Sequence, residues 1–203
     1  MNETITTRAA FARENFLKVY GCAQSVLLAY ADLTGLDETT LAKLGSSFGG
    51  GMGRLREVCG GVSGAFAVLG LLCGYDDPAD KEGKSRHYAD IRELARRFTE
   101  RSRGGSIVCR EILQNAGLSG DKGGEAEART AEYYEKRPCP DLVYLAAEVL
   151  GEMLARHFGM LRERSRAGRC WLCRRNFEMS IQKEPENSRS WWWAESVWPP
   201  CCC

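Results

Sequence analysis

Residues 58–75, VCGGVSGAFAVLGLLCGY, contain no charged side chain, and this run constrains the fold more than any other stretch. A glycine cluster precedes it (Gly49, Gly50, Gly51, Gly53), followed by the short charged segment from Arg54 to Glu57. Cys59 stands near the start of the run, with Gly60, Gly61 and Gly64 after it. The length raises a membrane span. Glycines and a serine interrupt it, however, and no second span follows, so the run reads as a buried helix. Small residues on one side of such a helix let another backbone come close. Glycines ahead of it leave N–H groups free to face an anion or a thiolate. Cys59 is then either a small core residue or a reactive thiol.

The rest of the chain reads as helices arranged around that one. Ala10, Phe11, Phe16 and Leu17 predict a first helix over residues 7–18, broken at Gly21. A second starts at Cys22 and stops at Thr34-Gly35, and Asp37 caps a third through Leu41 and Leu44. Gly74 and Asp76-Asp77-Pro78 close the apolar helix. Tyr88, Ile91, Leu94, Ala95 and Phe98 recur at three- and four-residue steps, the spacing of an amphipathic helix ending at Gly104-Gly105. Ser106 is the expected cap of a helix from Ile107 to Gln114, with Cys109 in its first turn. Residues 116–137 read as a glycine-rich loop with a marginal helix at 125–134. Pro138-Cys139-Pro140-Asp141 opens a long last helix buried through Leu142, Ala146, Val149, Leu150, Met153 and Leu154. No strand pattern competes, so the expected fold is an all-α compact helical bundle over residues 1–160.

After Arg166 the composition changes. All five tryptophans and Cys170, Cys173, Cys201, Cys202 and Cys203 fall in residues 166–203, where no period sorts them. The expectation is a disordered tail whose composition suggests out-of-frame or non-native coding, and it is left out of the fold. The Cys170–Cys173 pair resembles a redox or half-metal motif but lacks strand–helix context.

With 203 residues and a net charge of +1, the chain shows no wholesale attraction to nucleic acid or anionic membranes. The start, MNETITTRAAFAREN, lacks an apolar signal region, which points to a cytoplasmic protein. In that compartment metal binding or redox chemistry is a stronger reading of cysteines than a disulfide framework. Cys22, Cys59, Cys109 and Cys139 each fall in the first turn of an expected helix, where unpaired N–H groups favour thiolate over thiol. The bland alternative is that four small residues pack in a core. Cys73, at the far end of the apolar helix, reads as core. The glycine loop fails the dinucleotide and P-loop patterns, with Arg54 or Arg56 where a glycine is needed. Arg54 either holds an anion or is a solvated surface arginine. His157 reads as a hydrogen-bonded packing residue, and Asp76, Asp77 and Asp80 as turn residues rather than calcium ligands.

GCAQSVLLAYA, FGGGMGR, VCGGVSGAFAVLGL, CREIL and RPCPDLVYLAAEVL resemble, in the same order, the redox-active family named for its C-GCAxxG-C-C cysteine pattern. The resemblance runs from Phe16 to Leu154. It puts the family's four cysteines on Cys22, Cys59, Cys109 and Cys139, and its CGAxxG element on Cys59 to Gly64, with Gly61 in place of the usual alanine. It implies a redox or iron–sulfur role and names no substrate. The expected site is therefore Cys22, Cys59, Cys109 and Cys139, supported by Gly60, Gly61, Gly64 and Arg54. Its expected chemistry is an iron–sulfur cluster, with zinc as the alternative, or thiol–disulfide exchange in electron transfer with a redox partner protein. A homodimer is left open. The rival reading is a structural or sensory module whose helices are held together by zinc or a disulfide.

Overall fold

A computed structural model of the chain describes residues 3–166, with side chains through Phe158. The chain divides into two units at residue 160, and the fold below is that of the first. Its helices run α1 (Glu3–Leu17), α2 (Cys22–Ala29), α3 (Ala31–Thr34), α4 (Glu38–Ser46), the single turn α5 (Gly49–Met52) and α6 (Gly60–Cys73). They continue with α7 (Lys81–Arg101), α8 (Cys109–Asn115), α9 (Ala131–Lys136) and α10 (Cys139–Arg166). The all-α expectation holds, and the only β pairing among the described residues is one isolated antiparallel bridge, Val58 with Val108. The tail expectation and the Cys170–Cys173 pair lie outside the described residues.

The uncharged run folds as α6, and Gly60 to Ala65, Val68 and Leu69 are buried. Two helices press on it from different sides. A Cβ at Gly64 would stand 2.8 Å from the Ala23 carbonyl oxygen and 3.0 Å from its Cα, so α2 and α6 touch backbone to backbone. A Cβ at Gly61 would meet Ala146, Leu142 and Val143 of α10 at 3.5 Å, an ordinary contact. This is why glycine at 61 can stand where alanine is usual, whereas position 64 has no such room. On its other side α2 meets α4 equally closely, because a Cβ at Gly45 would lie 2.8 Å from the Gln24 nitrogen. Phe16, Val26, Leu27, Tyr30, Leu41, Leu69, Leu94, Phe98, Leu113 and Leu150 fill the core. The whole expected face of α10, Leu142 through Leu154, is buried there. The Tyr30 hydroxyl donates to the Ala147 carbonyl at 2.7 Å, which satisfies its one polar atom inside the core.

Helix boundaries follow local chemistry. Asp37 accepts from the Thr40 amide, Asp80 from the Gly83 amide and Thr130 from the Tyr133 amide. Asp77 accepts from the Ala79 amide, the turn role expected of it. Ser106 departs from expectation: its hydroxyl accepts from the Val108 amide, and the helix begins two residues later than foreseen. The bridge to Val58 keeps residues 107 and 108 extended. No described helix is long and apolar enough to cross a membrane.

Gly64→Leu is expected to destabilise the unit by about 1–3 kcal/mol through overpacking against α2. Gly61→Ala is expected to leave the thermal midpoint within a degree or two, since its contact distance is ordinary. Thermal unfolding of both variants followed by circular dichroism checks this, and equal effects at the two positions would contradict the packing described.

Candidate thiol site

Three cysteines occupy the first position of a helix: Cys22 in α2, Cys109 in α8 and Cys139 in α10. Cys59 is the residue immediately before α6. The sequence expectation of four helix starts is therefore met. Two of the starts are tied together directly. The Cys59 amide donates to the Ile107 carbonyl at 2.7 Å, and the Cys109 amide donates to the Glu57 carbonyl at 2.6 Å. These two bonds flank the Val58–Val108 bridge. Because side chains alternate along extended backbone, Cys59 and Cys109 project to the same side of it, opposite the valines.

Glycines make the remaining approach. A Cβ at Gly60 would stand 2.9 Å from the Cβ of Cys22 and 2.6 Å from the Phe48 carbonyl, so only glycine lets α6 start against Cys22. A Cβ at Gly51 would stand 2.7 Å from the Cβ of Cys109. Gly51 (φ 72°) and Gly50 (φ 63°) both lie in the left-handed region, which turns the Gly50 amide toward the Cys22 sulfur. Met52 (φ 60°), Arg54 (φ 63°) and Arg56 (φ 60°) share that region without being glycine. Such residues cost about 1 kcal/mol or more each. The strained segment is tied down by the Arg110 amide, which donates to the Arg56 carbonyl at 3.1 Å, and by the Gly123 amide, which donates to the Arg54 carbonyl at 3.0 Å.

The four thiols act on one another electrostatically. Hydrogen bonding to the Cys139 side chain, foremost, pulls Cys22 down to about 7, against the cost of burial and aided by the charge of Arg129 and the Gly50 amide. The same interaction, with burial, holds Cys139 well above an ordinary thiol. Two thiols that act on each other in this way titrate as a pair. Burial pushes Cys59 up to about 12, and the neighbouring charges of Cys22 and Cys109 add to it, although the Val62 and Gly61 amides at the start of α6 face its sulfur. Cys109 is raised by burial, with the Cys22 charge adding and Arg56 opposing.

Among the described residues, no group of three or more His, Cys, Asp and Glu side chains is arranged to hold a metal ion. The four-thiol donor set has the softness that iron–sulfur clusters and zinc prefer.

Arg54 does not reach the thiols. Its guanidinium donates to the Gly123 carbonyl at 2.8 Å and to Glu127 at 3.0 Å. It binds the 116–130 segment instead of forming part of a thiol shell. Arg56, buried at 4% exposure, is the one that reaches Cys109. Glu127 also pairs with Arg137 at 2.7 Å. Together these groups line a cleft of about 350 Å³ with Asp121 and Lys122. The segment they hold carries Arg129, whose guanidinium carbon lies 4.6 Å from the Phe16 ring centre and 4.8 Å from that of Tyr133. Tyr133 is pushed up to about 12 by burial and the charge of Cys139. Arg56, Arg129, Arg137 and Tyr133 were not foreseen. All but Arg56 lie in or beside a stretch without hydrophobic period, and only their aromatic–arginine alternation hints at a role. Cys73, read from the sequence as core, is half-buried against the core rather than inside it, and burial and Asp90 raise it to about 11. His157 pairs with Asp90 at 3.2 Å, the packing role read for it.

Helix-start cysteines gathered by glycine contacts mark the site of this all-α fold. Residues 20–153 match the model of the family described as Putative redox-active protein (C_GCAxxG_C_C), and the chain belongs to that family. Neither curated proteins nor solved structures give a significant match.

The titration order is testable by iodoacetamide labelling with mass spectrometry. Cys22 is acidic in its neighbours' field, so labelling at this thiol is expected to fall off below a midpoint near pH 7. Cys59 is raised to about 12 and is expected to stay unlabelled in the folded chain at any pH where the fold persists. A Cys22 midpoint at the ordinary thiol value of about 8.5 would contradict the assigned pairing.

Proposed function

We propose that this chain is a dithiol–disulfide redox protein in which Cys22 and Cys139 form the working pair. The meeting of these helix starts, with Cys22 drawn down and Cys139 raised by each other's side chain, carries the reading. An attacking thiol works best with a pKa near the ambient pH, because a lower one trades nucleophilicity for thiolate fraction. In oxidation, Cys22 attacks an electrophilic sulfur of an oxidised partner and forms a mixed disulfide, and the displaced sulfur leaves as thiolate. Cys139 gives up its proton and attacks the Cys22 sulfur. The second partner thiol is released, and the internal Cys22–Cys139 bond holds the two electrons' worth of oxidation. Run backward, a dithiol partner protein reduces the chain.

Cys59 and Cys109 have a supporting place in this scheme. Raised and protonated, they keep further negative charge away from the pair, and their glycine contacts fix the loop that faces Cys22. A second reading, a cysteine-ligated iron–sulfur or zinc centre shared by all four thiols, draws support from the mutual field of the four sulfurs. When bound, such a cluster would supply one-electron transfer, with the four cysteines as its holders.

Oxidation of the reduced chain with diamide is expected to link Cys22 to Cys139, read by peptide mapping, and Cys22→Ser to abolish the link. Anaerobic incubation with iron and sulfide separates the readings. Charge-transfer colour lost in Cys59→Ser and kept in Cys73→Ser would favour the cluster, and disulfide formation without colour would favour the pair.

A further inference from the structure

Three guanidiniums converge on one carboxylate in the cleft of about 350 Å³ that the 116–130 segment helps to line. Arg54 Nη1 donates to one Glu127 oxygen at 3.0 Å, and Arg137 Nη2 donates to the other at 2.7 Å. Arg56 Nη2 stands 3.8 Å from the same carboxylate, beyond hydrogen-bonding distance, while its Nε donates to the Asp121 backbone carbonyl at 3.0 Å. Arg56 is almost fully buried. A buried guanidinium without a hydrogen-bonded carboxylate is costly unless another anion joins it. The other charges at the cleft do not supply that anion. Lys122 pairs with Glu57 at 2.7 Å, and the Asp121 carboxylate accepts from the Ser119 hydroxyl. Among the described residues no second carboxylate lies within ion-pair distance of the three arginines. Nor can the cations simply swing away from one another. The Gly123 carbonyl accepts from Arg54 Nε at 2.8 Å, and the Arg137 guanidinium carbon lies 4.7 Å from the Tyr133 ring centre.

We propose that this cleft binds a phosphoryl group, carried by inorganic phosphate or by a small phosphate monoester. Such a group bears about two negative charges at neutral pH, which matches the two guanidinium charges that Glu127 leaves unanswered. Its terminal oxygens point in different directions, so Arg54, Arg56 and Arg137 can each donate to a separate one. A planar carboxylate offers fewer such sites. Each guanidinium has more N–H donors than its bonds to Glu127 and the loop carbonyls use, so Glu127 need not leave for the ligand to enter. The cleft volume lies at the lower end for small-molecule sites. Leu118 is the one apolar side chain among the described residues that line it, so any organic body on the phosphate is small and polar. The proposal involves no covalent step and does not rest on the dithiol reading.

The test is calorimetric titration of the full chain near neutral pH and at fixed ionic strength, with inorganic phosphate, glycerol phosphate and acetate as separate probes. Both phosphates are expected to bind saturably at one site and to raise the thermal midpoint. Acetate is expected to bind about 10-fold or more weakly, because it makes fewer charge-assisted bonds. Tighter binding of glycerol phosphate than of inorganic phosphate assigns the ester as ligand, and equal or weaker binding assigns the free ion. Arg137→Met is expected to weaken both phosphates about 10-fold or more. Glu127→Gln removes the competing carboxylate and is expected to tighten them, whereas a purely structural ion-pair network would lose stability there and gain no ligand. Circular dichroism establishes that the variants fold, and Arg54→Met replaces Arg137→Met if the latter does not. Absence of saturable binding by both phosphates would overturn the proposal. So would equal affinity for acetate, or phosphate affinity unchanged in both the folded arginine variant and Glu127→Gln.

Discussion

The backbone contact between α2 and α6 is the constraint on which the rest of this structure depends. At Gly64 the two helices approach until a single methyl group would overlap the Ala23 backbone, and at Gly60 the same approach brings α6 against Cys22. Apolar burial alone would be satisfied by many helix separations. The glycines select the closest one, because dispersion between backbones grows only when no side chain holds them apart. Cys22 and Cys59 are brought near each other as a consequence, since each lies at the start of one of the two touching helices.

A second pair of contacts then completes the cluster. Val58 and Val108 bridge, and the two amide bonds beside them fix the starts of α6 and α8 on one side of that bridge. The long helix α10 packs on the Gly61 side of α6 and delivers Cys139 at its own first turn. Four thiols close together cannot all ionise. Each anion raises the cost of the next, and burial raises it further. Cys22 is the acidic member because the Cys139 side chain, foremost, and then the charge of Arg129 and the Gly50 amide favour its anion against burial. Cys59, more buried and without a cation beside it, goes the other way even though two helix amides face its sulfur. Desolvation there outweighs the helix start.

The segment between α8 and α9 has almost no apolar residues to bury, and it is held by charge instead. Arg54, Arg56 and Arg137 gather on Glu127, while Arg129 stacks on Phe16 and Tyr133. This arrangement holds a guanidinium whose charge acts on Cys22 without building a helix to carry it. The same arrangement explains the strained residues at 52–56, whose carbonyls and side chains bind that segment and α8.

The sequence by itself determined the helices and the buried faces. The uncharged run, the three- and four-residue steps of α7 and α10 and the caps at Asp37 and the glycine stops all act locally, within a turn or two of chain, so they are legible without a fold. It also determined that Cys22, Cys59, Cys109 and Cys139 stand at helix starts, and the order of its motifs carried the resemblance to the family. Tertiary structure decided which helix starts meet, and that Cys22 is lowered while Cys59 is raised. It also moved the start of α8 past Ser106, because an extended pairing with residue 58 is a long-range choice that no local cap can reveal. Arg54 and Arg129 show the same division. A position beside a glycine cluster made Arg54 look like the site's cation, and an aperiodic loop hid Arg129. Which guanidinium reaches a sulfur depends on how residues far apart in sequence fold back on each other, and long-range Coulomb and stacking contacts leave no periodic trace in the chain.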